Sequence, residues 1–146
     1  MYVFIMGVGM LTSPASAHPS GHETDDYYRP SPRASATLPP PIPDTYAGVV
    51  EALRTRLSSA EIALAGLKIS DLRREGSLIR DLAIAVPGKA ATLSASTQVS
   101  VATSSSQIQV KVAELVRAAE KGDMAGAKAA VAAVRAEIEV LQTLGV

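Results

Sequence analysis

From residue 46 onward, apolar side chains recur at intervals of three and four, and the recurrence is broken at three places. Tyr46, Val50, Leu53, Leu57, Ala60, Leu64 and Leu67 alternate by four and three, the inward stripe of an amphipathic helix. Asp44 stands where an N-cap belongs, and Gly66 is a natural end. A second stripe, Leu72, Ile79, Leu82 and Val86, follows Ser70 as a cap and Asp71 at the positive helix end. Pro87 and Gly88 are expected to stop it. Residues 89–106 are rich in Ser, Thr and Ala, and 98–101 alternate like a short strand. A lone strand has no partner here, so the segment reads as a long joint running into a helix. That helix starts between 95 and 107, with Ser106 and Gln109 as a capping box. Ile108, Val112, Leu115 and Ala119 form its stripe. Lys121, Gly122 and Asp123 make a compact stop and restart. The last helix runs from Met124 to about Leu144 with Met124, Ala127, Val131, Val134, Ile138 and Leu141 inward. Four such helices with short connections give antiparallel neighbours. The predicted fold is all-α, an up-down-up-down four-helix bundle over residues 44–146.

Upstream the pattern is different. Residues 1–17 carry no charge, residues 2–11 are an unbroken apolar run, and Ala15, Ser16 and Ala17 follow. This is the h-region and small-residue cleavage site of a signal peptide, too short to span a membrane. The basic n-region is missing, so the signal is atypical or the true start lies upstream. Residues 18–43 hold seven of the nine prolines, including Pro39, Pro40 and Pro41, and read as a disordered Pro-rich linker. The expected location is periplasmic or secreted, with no transmembrane helix after processing.

Composition narrows the function classes. Only 3% of residues are aromatic, against 47% hydrophobic overall, so the core is built from Leu, Ile, Val and Ala. The 14 basic and 14 acidic residues balance and are interspersed, and Tyr46 is the one aromatic of the bundle. Neither a basic footprint nor stacking platforms for nucleic acid are present. With no cysteine, disulfides, thiolate metal sites and Cys catalysis are excluded.

Several segments bring a family to mind. The stop at Val86, Pro87, Gly88 and Lys89, the run from Ala119 through Gly122 into Ala127, Lys128, Ala129 and Ala130, the helix lengths and the long second joint carry the likeness. On these residues the bundle resembles the soluble periplasmic cytochrome b family, four-helix bundles that hold haem non-covalently. The resemblance implies axial ligands, a Met on the first helix and a His near the end of the last. Those positions fall on Val50 and Gln142, and neither side chain is a useful haem ligand. No His lies between 44 and 146, and Met124 is the only Met there, on the core stripe. The expectation is therefore a bundle of this shape without haem. It is also similar to small periplasmic helical proteins linked to envelope or metal stress.

Candidate chemistry is sparse. His18 and His22 lie in the linker, with Glu23, Asp25 and Asp26 close by. Cleavage after Ala17 would make His18 the N-terminus, and its amine and imidazole together would favour copper or zinc. A di-iron site needs Glu-x-x-His pairs, which a bundle without His cannot form. Glu75 is the one carboxylate in register with a stripe, and it is expected at the bundle surface in a salt bridge near Arg73 and Arg74. No base, nucleophile or phosphate loop is arranged for catalysis. Tyr46 should direct its hydroxyl to the bundle end. The reading is a small exported, non-catalytic bundle acting as a binding or accessory module, its partner another protein or a small ligand. Two alternatives stand beside it: copper or zinc binding through His18 and His22, and an obligate helical homodimer with a structural role.

Overall fold

A computed structural model describes residues 38–146 of the 146-residue chain. The expected signal peptide and residues 18–37 of the expected linker lie outside the described residues. Four helices make up the rest: α1 (Tyr46–Ala65), α2 (Ile69–Lys89), α3 (Ala95–Glu120) and α4 (Met124–Leu144). Each packs beside the next, and α4 closes the ring against α1. No strand occurs among the described residues. This is the all-α four-helix bundle that the stripes predict.

The core is aliphatic. Leu53, Leu72, Ile79, Ile108, Leu115, Ile138 and Leu141 are fully enclosed, with valines and alanines between them. Ala119 of α3 and Ala127 and Ala130 of α4 are buried as well, small side chains of the kind that let packed helices approach closely. Of the predicted stripe residues, Leu67 does not belong to the core and is 64% exposed.

The helix ends correct the sequence reading in several places. The cap of α1 is Thr45, whose hydroxyl accepts from the Gly48 amide at 3.1 Å, and Asp44 is outside it. Helix α2 starts at Ile69, so Ser70 lies within its first turn and the preceding Lys68 gives no side-chain cap. Asp71 does sit in that first turn. Two joints, 66–68 and 121–123, close in the same way. The Lys68 amide donates to the Ala63 carbonyl and the Leu67 amide to Leu64, as Asp123 donates to Ala118 and Gly122 to Ala119. This is the Schellman arrangement, which needs one left-handed residue. At the second joint that residue is Gly122, at φ 74°; at the first it is Leu67, at φ 54°, one position beyond Gly66.

The largest corrections concern Pro87 and the start of α3. Pro87 does not stop α2, which runs on to Lys89. A proline at 87 cannot donate to the carbonyl of Ala83 four residues back. The buried Ser105 hydroxyl of α3 donates to that carbonyl instead. Helix α3 begins at Ala95, capped by Ser94, whose hydroxyl accepts from the Thr97 amide at 3.2 Å. Ser106 is thus no cap; its hydroxyl bonds back to Ala102 inside the helix. The strand-like residues 98–101 are helical, and the inward stripe continues through Val101, Ser104 and Ser105. The second joint is only 90–94, so the long connection that contributed to the family likeness is absent.

Candidate functional site

Residues 38–45 enter the bundle without regular structure, and 39–43 form one wall of a groove whose floor is α1 and α2. Two local features hold that wall. A Cβ on Gly48 would stand 3.0 Å from the Pro43 Cβ, so the glycine lets Pro43 lie against the first turn of α1. Lys89, at the end of α2, reaches Asp44 at 3.8 Å. Successive prolines have fixed φ and little entropy to lose, so the wall is stiff without hydrogen bonds of its own.

From α1 the groove takes Ala52 and Arg56, one turn apart; from α2 it takes Leu78, Asp81, Leu82 and Ile84. Its volume is about 390 Å³, and its lining is mainly apolar. Ile42 and Ile84 remain 46% and 56% exposed, although both are large aliphatics that water solvates poorly. Charge is confined to two residues. The Arg56 guanidinium is held by Glu75 at 3.4 Å. Glu75 is buried, with 5% of its surface exposed, and Arg74 approaches it from the other side at 3.6 Å. The expected surface position of Glu75 is therefore corrected: Arg56 arrives from α1 and pairs with it beneath the surface. Asp81 is exposed and has no ion-pair partner among the described residues. The arrangement can hold an apolar body and make polar contacts at its edge through Arg56 and Asp81.

Other candidates fall as follows. His18 and His22 lie outside the described residues. Among the described residues no group of three His, Cys, Asp or Glu could hold a metal ion. Val50 and Gln142, which the family resemblance would assign to axial ligands, both line a cleft at the end of the bundle with Tyr46, Ala47 and Glu51. Tyr46 donates to the Leu141 carbonyl at 2.7 Å, a bond between α1 and α4 that the sequence reading did not include. Partial burial raises its phenol above the ordinary value of 10.0. Its ring also occupies the space over Gly145, where a Cβ would meet Cε1 at 2.5 Å.

Sequence reasoning missed the groove because its residues belong to no single stripe. Leu78 and Ile84 are off the inward face of α2, and the proline run reads as a spacer. The usable signal was the pair of off-stripe aliphatics on the helix that follows a proline-rich entry. No helix among the described residues is long and apolar enough to cross a membrane. No protein-family model, curated protein or solved structure matches this chain.

Proposed function

We propose that this chain is a small exported helical bundle that acts without catalysis, as a binding or accessory module of the envelope, and takes its partner in the groove between residues 39–43 and helices α1 and α2. The observation that carries the reading is the groove itself. A concave, mainly apolar site of about 390 Å³ with few polar groups has the size and lining of small-ligand sites. Two of its aliphatic side chains, Ile42 and Ile84, are left facing solvent outside the core. The non-catalytic part rests on the side chains available: residues 44–146 contain neither His nor Cys. The exported part rests on residues 1–17.

Fluorescence titration with Nile red, an uncharged apolar dye, tests the site in the full chain. Saturable binding is expected, and Leu78→Asp, which puts a charge on the groove floor, should weaken it about tenfold or more. Equal binding by the wild-type chain and Leu78→Asp would remove the groove from the account. A fusion of residues 1–43 to a reporter active only after export tests the leader; an inactive reporter would reject export.

A further inference from the structure

Between α2 and α3, Arg73, Gly76, Ser77 and Arg80 face Val112, Val116, Arg117 and Glu120 across a cleft of about 370 Å³. We propose that this cleft binds a phosphate monoester carried on an apolar stem. The site is separate from the groove and goes beyond the function proposed above.

Charge is the first argument. The chain as a whole is neutral, but three guanidiniums and one carboxylate line this cleft, an excess of two positive charges. Arg73 and Glu120 pair with each other at 2.6 Å. Arg80 and Arg117 have no ion-pair partner among the described residues, so the excess resides on them. All three cations are arginines, whose planar fork of donors matches phosphate oxygens better than an ammonium does. A phosphate monoester is close to a dianion at neutral pH and cancels the excess, whereas a single carboxylate leaves one charge over.

Shape is the second argument. Gly76 is buried in the middle of α2, a place where glycine weakens a helix unless packing requires it. A Cβ there would lie 3.0 Å from Val116 Cγ2 and 3.3 Å from Val112 Cγ1. The missing side chain draws the helices together and leaves the valines as an apolar floor. Arg80 stands one turn beyond Gly76 on α2, and Arg117 adjoins Val116 on α3. An apolar stem on the floor thus has a guanidinium from each helix beside it.

Calorimetric titration of the full chain with phenyl phosphate is the test. Saturable binding is expected, weaker for inorganic phosphate, which has no stem, and absent for benzyl alcohol, which has no charge. Affinity should rise as pH increases through about 6, where the ester loses its second proton, and should fall as salt is added. Arg80→Gln and Arg117→Gln should each weaken binding about tenfold, the scale of one lost charge-assisted hydrogen bond. Both side chains are exposed, so melting should not change, and Leu78→Asp should leave this site intact. Cosedimentation with phosphatidic acid vesicles but not phosphatidylcholine vesicles, lost in the Arg80→Gln, Arg117→Gln double variant, would assign the ester to a lipid headgroup. Phenyl phosphate binding without cosedimentation would assign it to a soluble ester. No binding of phenyl phosphate at millimolar concentration, equal affinity for inorganic phosphate, or undiminished binding by the double variant would overturn the proposal.

Discussion

Replacing Ser105 by alanine removes the hydroxyl that reaches from α3 to the Ala83 carbonyl of α2. Ala83 is fully buried, and Pro87 has no N–H to offer that carbonyl, so the substitution leaves an acceptor without a donor in a closed interface. Such a loss costs about 1–3 kcal/mol. With Pro87→Ala already in place, the backbone amide at 87 can donate to Ala83, and Ser105→Ala then removes only a second bond, worth about 0.5–1.5 kcal/mol. The two sites should therefore couple by roughly 1 kcal/mol in a double-mutant cycle. In a domain near 100 residues that corresponds to about 4–8 °C in melting temperature. Urea denaturation of the four chains, followed by far-UV circular dichroism, gives the cycle directly. If Ser105→Ala costs the same in both backgrounds, the hydroxyl is not what lets α2 continue past its proline.

Three further expectations concern other parts of the bundle. Leu67→Gly should stabilise by about 1 kcal/mol, because glycine holds φ 54° without the penalty of a Cβ, and Gly122→Ala should destabilise by a similar amount; thermal melts check both. Tyr46→Phe should cost about 1 kcal/mol through the lost bond to the Leu141 carbonyl. Since the folded-state phenol is raised, its contribution is intact below the ordinary value of 10.0 and declines as pH rises through the folded value; denaturation against pH should show a fall in wild type that Tyr46→Phe lessens. Leu53→Ala, at a fully buried position, should cost about 2–5 kcal/mol by urea melt, and a value below 1 would mean that the stripe of α1 is not the core face.

What could be read in the sequence follows from the range of the forces involved. The stripes of α1 and α4 are local periodicities and were legible, as was the joint at Gly122, where the left-handed residue is a glycine. Gly66 ends α1 as the sequence implies, but the left-handed residue of that joint is Leu67, which the stripe had placed in the core. The early part of α3 was obscured because Ser104 and Ser105 occupy the stripe with polar side chains, and the Ser105 hydroxyl finds its partner only on α2. Pro87 failed as a stop for the same reason, since the group that replaces its amide lies on another helix. The burial of Glu75 depends on Arg56, 19 residues away in sequence and adjacent only once α1 and α2 pack. The groove needs three separate segments to exist, and Gly76 reveals its purpose only opposite Val112 and Val116.

A methyl-resolved NMR titration of the full chain with Nile red addresses the central claim most directly, because it reports which surface of the bundle is occupied. The account predicts saturable shifts at Ile42, Leu78, Leu82 and Ile84, which line the groove, with Ile62, Val99 and Val110 unmoved although all three are exposed. Shifts spread evenly over the exposed aliphatics, or centred at the Val50 and Gln142 end of the bundle, would contradict it.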